Sequence, residues 1–218
     1  MDKFEKFMRQ IDILKPEVCD VPINIIGAGA TGSFTTLSLA KMGFENIRVF
    51  DKDTIEVHNF PNQLFPLACL GRNKATALKE LVESFTGAKI EAVEDFYTDH
   101  ELSGIVICAV DTMSARESIL ANCQKNPKVK ILIDPRCGAE VVQMLTVDMS
   151  IIQMIDWYKT TLFKDEEADP SPCTARSIIY SVLVVSAFIA KQVKLVQMNQ
   201  EYQKEIIIDL KNNILQRT

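Results

Sequence analysis

The spacing of hydrophobic positions changes period several times along this chain, and each change marks an element. Phe4, Phe7, Met8, Ile11 and Leu14 recur at helical spacing, predicting an amphipathic helix over residues 2–15 that Pro16 ends. Ile23–Ile26 is a short apolar run that reads as a strand. Residues 31–42 read as a helix stopped by Gly43, and Ile47–Phe50 as a second strand. After a loop containing Pro61 and Pro66, residues 74–85 read as a helix that ends before Gly87. Residues 89–93 form a short predicted strand. Residues 105–110 are apolar throughout, the pattern of a strand covered on both faces of a parallel sheet. Ser114 and Glu117 have the spacing of a capping box for the next helix. Residues 129–133 read as another buried strand, and 140–148 as a strand that leaves the parallel order. A polar loop is expected over 164–172, a long helix over 176–196, and a charged helical tail over 200–218.

Strands alternating with helices predict an α/β fold: a doubly wound, mostly parallel sheet with helices on both faces. The chain reads as one domain, with an N-terminal arm (1–20), a nucleotide-binding core (21–135) and a C-terminal strand, loop and helices (136–218). Ligands in such sheets sit beyond the carboxyl ends of the strands. Asp51, Asp53, Asp111 and Asp134 each follow a predicted strand, so all four are expected at that edge.

At 47% hydrophobic and 24% charged residues, the chain can bury a sizeable core. Its net charge of −5, with no basic block, argues against a nucleic-acid partner. The first 20 residues are charged and lack the apolar core of an export signal. The most apolar run, 178–190, falls short of the roughly 20 residues that span a bilayer. The expectation is a cytoplasmic protein with no membrane association and reduced cysteines. Its six cysteines include no C-x-x-C pair, so the usual structural zinc site is not encoded. Cys108 and Cys123 fall in apolar patterns and read as core.

The chemistry lies in the loops. The first strand runs into G-A-G-A-T-G, a G-x-G-x-x-G loop that opens a helix. Gly27 allows the tight turn, Gly29 removes a side chain where a pyrophosphate meets the backbone, and Gly32 lets helix and strand pack closely. Asp51 lies at the distance past this loop that suits a ribose hydroxyl pair. A dinucleotide dehydrogenase needs little more. Here a second acid, Asp53, follows, then N-x-x-N-Q (Asn59, Asn62, Gln63), G-R-N-K-A with Lys74, and V-D-T-M-S-A-R with Asp111.

In that order and spacing these motifs resemble the ThiF/MoeB/HesA family, which includes the adenylation domains of ubiquitin-activating enzymes. The resemblance is close from the N-terminal arm through the D-T-M-S-A-R motif and looser beyond. It implies a Rossmann-like homodimer that uses ATP and Mg2+. The implied substrate is the C-terminal carboxylate of a small ubiquitin-like or sulfur-carrier protein, or of a peptide. Carboxylate adenylation releases pyrophosphate, and in some members a cysteine then takes the acyl group. Position by position, the resemblance assigns Gly27, Gly29 and Gly32 to the ATP loop and Asp51 to ribose, with Asp53 beside it. Asn59 and Gln63 match the family's S-N-x-x-R-Q, Lys74 its triphosphate-binding lysine, and Asp111 its magnesium ligand. Asn62 stands where the family has an arginine. In the arm, Lys6-Phe7-Met8-Arg9-Gln10 matches R-Y-x-R-Q. The first arginine, which in the family enters the partner's ATP site, is Lys6 here. Lys6 or Arg9 is then the cation expected to act in trans.

Each role has a plainer alternative. Asp51 and Asp111 could be helix caps or solvated loop acids. Lys74 could be an ordinary first-turn lysine, although a helix N-terminus disfavours a cation unless an anion is near. Arg72 reads as a surface residue or a phosphate contact, and His58 and His100 as structural or solvated. Cys173, in P-S-P-C-T-A-R, is a candidate nucleophile because a helix start and Arg176 would lower its pKa. Otherwise it packs under the helix. Cys137 is the second candidate. Arg136 could pair with Asp134, meet the acidic loop or touch substrate. The amphipathic arm and the apolar 178–190 run predict a homodimer. Rival functions are a nucleotide-binding interaction module that has lost turnover, and a nicotinamide-dependent oxidoreductase.

Overall fold

A computed structural model describes residues 3–164 and 177–218. Their strands are β1 (Ile23–Ile26), β2 (Ile47–Phe50), β3 (Glu91–Val93), β4 (Gly104–Cys108), β5 (Val129–Gly138), β6 (Val141–Asp148), β7 (Glu205–Asp209) and β8 (Ile214–Arg217). The helices are α1 (Lys3–Phe7), α2 (Ala30–Met42), α3 (Lys74–Thr86), α4 (Met113–Lys125), α5 (Ile152–Lys159) and α6 (Ile179–Gln197). Among the described residues the strands form one sheet in the order β3-β2-β1-β4-β5-β6-β7-β8. The first five run parallel; β6, β7 and β8 pair antiparallel.

Alternation along the central strands sorts the core. Ile23, Ile25, Val49, Ile105, Ile107, Ile131 and Ile133 belong to the layer containing α2, α3 and α6. Ile26, Phe50, Val106, Cys108 and Leu132 belong to the opposite layer, with α4 and α5. Full burial on both sides explains why β4 carries no polar residue. The exception in β1 is Asn24, whose amide donates to Ser103 O at 2.7 Å and whose Oδ1 accepts from Arg48 at 2.9 and 3.1 Å. Burying that amide is tolerable because both of its ends are bonded.

By length and composition α6 could cross a bilayer, being longer than the 178–190 run suggests. Here it packs on α2 and the sheet through Val182, Val185, Ile189 and Val193. Its buried Gln192 bonds Thr146 Oγ1 and Gln203 O at 2.8 and 2.7 Å. Those contacts make it a core helix.

Four expectations need correction. The arm is helical only over Lys3–Phe7, followed by a 3-10 turn, Met8–Gln10. The tail is not helical: it forms β7 and β8, and in β7 Ile206 and Ile208 are buried while Glu205, Ile207 and Asp209 are partly exposed. The cap of α4 is Thr112, whose hydroxyl accepts from Ala115 N at 3.3 Å, and not the Ser114–Glu117 box. Finally, β5 continues through Pro135 to Gly138, where the sequence reads as a loop. Proline is tolerated there because β4 pairs with β5 only as far as Ile133, leaving Pro135 bonded on the β6 side alone.

Candidate active site

The glycine loop lies where β1 meets α2. Gly27 has φ +100°, and its N–H donates to Phe50 O at 2.9 Å. A Cβ on Gly27 would sit 2.3 Å from Ala109 O, and one on Gly32 would sit 1.9 Å from Gly27 O. Both glycines are therefore required by the fold itself. Gly29 is different: among the described residues, the one atom within 4 Å of its missing Cβ is Gln63 Nε2, at 4.0 Å. The described residues leave the space over Gly29 open. Gly29 is also the N-cap of α2 and supplies no side-chain bond, so the first N–H groups of the helix lack that partner. Beside this opening, Gln63 Oε1 is buried with no hydrogen-bond partner among the described residues. A buried orphan acceptor is costly unless a ligand or water completes it.

β2 delivers Asp51. Its Oδ2 accepts from Ala28 N at 2.7 Å and its Oδ1 from Asp53 N at 2.8 Å, so the acid braces the glycine loop from the neighbouring strand end. Burial raises its pKa above the ordinary carboxylate value, against the opposing pull of those two N–H groups and of Lys74. Lys74 opens α3. Its Nζ meets Asp53 Oδ2 at 3.3 Å, and its side chain is only 11% exposed while Asp53 is 57% exposed. The ion pair offsets the cost of a cation at a helix N-terminus. Asn73, the α3 cap, accepts from Thr76 N and donates to Asp51 O at 2.9 Å, fastening α3 to the acidic loop. Sequence reasoning overlooked this residue, although an N-cap asparagine just before Lys74 was a readable signal.

In the N-x-x-N-Q stretch, Asn59 is buried and its Oδ1 accepts from Glu56 N at 2.9 Å, which closes a 3-10 turn. Asn62 donates to Ser177 O at 3.0 Å. Gln63 is the member of the stretch that comes within 4.0 Å of where a Gly29 Cβ would be. Ser33 Oγ joins the two segments by accepting from Leu64 N at 3.2 Å, a link with no sequence signal.

Asp111 follows β4 on the other side of β1. It is exposed and has no side-chain partner among the described residues. With Thr112 as the cap, the capping alternative for Asp111 falls away. Asp134 is the correction: it is not at the open edge. It is fully buried in β5, bonded to Arg116 Nε at 2.9 Å, Arg136 Nε at 2.8 Å and the Tyr158 hydroxyl at 3.0 Å. Among the described residues no three or more His, Cys, Asp or Glu side chains are grouped to hold a metal. A Mg2+ ion there would take one protein carboxylate and complete its shell from phosphates and water, a common arrangement for that ion.

Lys6 and Arg9 lie at the other end of α2 from the glycine loop. Lys6 Nζ donates to Thr86 O at 2.5 Å and lies 3.9 Å from Glu45, while Arg9 is exposed. Arg72 pairs with Glu80 on α3 at 2.5 Å. His58 is exposed beside Glu56, and His100 packs on Phe50. Cys108 and Cys123 are buried, as expected. Cys137 is half-buried with Sγ 3.9 Å from Thr31 Oγ1, and burial pushes its thiol up to about 11. Cys173 and Arg176 lie outside the described residues.

Residues 17–213 match the model of the ThiF family. The chain is 36% identical over 117 residues to the NEDD8-activating enzyme E1 catalytic subunit of Arabidopsis thaliana, covering 49% of this chain and 25% of that protein. It is 26% identical over 150 residues to the tRNA threonylcarbamoyladenosine dehydratase of Escherichia coli (strain K12), covering 65% of this chain and 53% of the relative. It thus spans from 25% to 53% of the length of these two relatives. Among solved structures, PaaA superposes with a TM-score of 0.76 at 16% identity, covering 99% of this chain and 82% of PaaA. E. coli MccB with AMPCPP and MccA gives 0.76 at 15% identity, covering 100% and 72%. At such identity these two establish the Rossmann-like fold. With the family model matched along nearly its whole length, the chain belongs to the ThiF family.

Proposed function

We propose that this protein binds ATP with Mg2+ and adenylates a carboxylate, that of the C terminus of a small ubiquitin-like or sulfur-carrier protein or of a peptide. One observation carries the reading. The open glycine loop and the orphan Gln63 oxygen share the carboxyl ends of three neighbouring strands with Asp51, Lys74 and Asp111.

In this reading the α2 amides and Gly29 receive the phosphates. Asp51 accepts from the ribose hydroxyls. Lys74 leaves Asp53 for a phosphate oxygen, acting as a mobile point charge. Asp111 supplies an oxygen ligand to Mg2+. When bound, the ion neutralises triphosphate charge and polarises the phosphoryl group. A substrate carboxylate oxygen attacks the α-phosphorus, the bond to the bridging oxygen breaks, and pyrophosphate leaves with that electron pair. NEDD8-activating relatives support a protein substrate, as does a net charge of −5 with no basic run in the sequence. The test is ATP–pyrophosphate exchange with candidate carrier proteins and, separately, with modified tRNA. Carrier-dependent exchange is expected. Exchange driven by tRNA alone would overturn the substrate class, and tighter binding of NAD than of ATP–Mg2+ would overturn the reaction.

A thioester step would use Cys173, since the raised pKa of Cys137 makes it a poor nucleophile at neutral pH. Cys173→Ala should keep exchange and eliminate any reducible enzyme–carrier adduct. If the adduct survives, this assignment is wrong. A homodimer would let Arg9 act in trans, because Lys6 is already engaged at Thr86 O. A monomer in light scattering at micromolar concentration would count against it. A second reading, a nucleotide-binding module without turnover, has one observation in its favour. Asn62 replaces the family's arginine and donates to Ser177 O, so that position offers no cation. Tight ATP binding with no exchange on any carrier would favour it.

A further inference from the structure

Arg116 is a buried cation with no evident duty in the proposed reaction, and its three bonds are aimed with unusual economy. It lies one turn into α4 and reaches back. Its terminal amines donate to Val110 O at 2.6 Å and Thr112 O at 3.1 Å, and its Nε to Asp134 Oδ1 at 2.9 Å. Val110 and Thr112 are the residues on either side of Asp111. One rigid, planar fork therefore holds the backbone both before and after the exposed acid.

We propose that Arg116, anchored by Asp134, is a positioning residue that fixes Asp111 for Mg2+; this rests on the reading of Asp111 given above. The anchor is built for rigidity. Asp134 is fully buried and receives Arg116, Arg136 and the Tyr158 hydroxyl. Arg136 continues to Thr161 O at 2.9 Å and Thr161 Oγ1 at 3.0 Å. A chain of bonds thus runs from the end of α5, through a buried carboxylate, to the Asp111 loop. Stability alone does not call for it, because a buried ion pair is often matched or bettered by apolar residues of equal volume. A metal ligand on an exposed loop does call for it, because outer groups that orient a ligand decide how well it binds.

Arg116→Lys keeps the charge and removes the fork. The probe is a non-hydrolysable ATP analogue titrated calorimetrically with Mg2+ and again in EDTA. The Mg2+-dependent gain in affinity should fall on the order of tenfold, as for lost outer-shell partners. Affinity in EDTA should stay unchanged, and amide exchange at residues 111–113 should quicken. Asp111→Ala is the parallel arm. If Asp111→Ala leaves the Mg2+ gain intact, the metal reading of Asp111 fails. If Asp111→Ala abolishes the gain and folded Arg116→Lys retains it, the positioning role fails while the metal reading stands. Should Arg116→Lys not fold, Asp134→Asn, which keeps the shape and weakens the anchor, is judged by the same readouts and the same outcomes.

Discussion

The two ends of α2 are treated in opposite ways. At the C-terminal end the last turn is bonded and packed by the protein itself, beside a cavity of about 360 Å³ between the arm and the end of α3. The Gly43 N–H bonds Ala40 O and Leu39 O, Gln10 donates to Met42 O at 2.7 Å, and Phe7 ring carbons lie 3.3 Å from where a Gly43 Cβ would be. At the N-terminal end the cap residue has no side chain, and among the described residues nothing fills the space over Gly29 and an oxygen of Gln63 goes unbonded. One helix carries partial charges of opposite sign at its ends. The described residues satisfy the negative end and leave the positive end open, as the proposed nucleotide site requires. The lesson concerns the arm as well: its Lys6, Phe7 and Gln10 serve the closed end within this chain.

The sharpest way to break the comparison is by glycine substitution, because it predicts opposite phenotypes within one loop. Gly27→Ala and Gly32→Ala place a Cβ against backbone oxygens and should cost about 3 kcal/mol or more in urea denaturation. Gly29→Ala should cost less than about 1 kcal/mol, yet weaken ATP binding on the order of tenfold, since the methyl enters the space that the proposed function assigns to phosphate. Equal destabilisation by all three would mean that the open end is structural.

Next in size are the ionised groups at the open end. Asp111→Ala should lower Mg2+-dependent pyrophosphate exchange by roughly 10²–10³-fold while shifting stability by no more than about 0.5 kcal/mol, as for an exposed residue. Lys74→Gln should cost about 10²-fold in exchange, with Asp53 left in solvent. A drop in melting temperature without a change in exchange would return either residue to a structural role.

At the closed end, Gln10→Ala should cost about 1 kcal/mol, the value of one hydrogen bond, and leave ATP affinity unchanged. The smallest effect concerns pH. The folded pKa of Asp51 is raised, so its charged form costs stability, fully so above that pKa and less as pH falls through it. ATP affinity should move the other way, weakening as pH falls through the raised pKa of Asp51. An Asp51→Ala variant that keeps the wild-type pH profile for ATP binding would remove Asp51 from the ribose site.

Local signals made much of this legible. The alternation of apolar runs with helical periods carried the parallel core, because β1, β2 and β4 are short and buried on both faces. The glycine loop and the acids after β2 and β4 were readable because their spacing reflects strand ends. Asp134 misled because an acid after an apolar run looks the same whether the strand stops or continues. Pairing with β6 carries β5 past it, and its burial is explained by Arg136 two residues on together with Arg116 and Tyr158, which are distant in sequence and lie in helices. The tail misled for a similar reason, since β7 exists by virtue of β6. Gln63 was found by resemblance, but its unbonded oxygen is a property of three dimensions.

The reversal of strand direction at β5 has a consequence for how the chain folds. β5 and β6 are joined through Ala139 and Glu140, so their contacts close at little entropic cost. β1 lies between β2 and β4, and its register with β4, Ile23 against Ile105, must bridge the whole intervening chain. The antiparallel half should therefore zip early and the nucleotide edge close late. Pulse-labelled hydrogen exchange during refolding should show amides of β5 and β6 protected before those of β1 and β4; the reverse order would refute this. A molecule that assembles its parallel edge last exposes its most apolar strands for longest, and destabilised variants should aggregate through β1 and β4 before the C-terminal hairpins loosen.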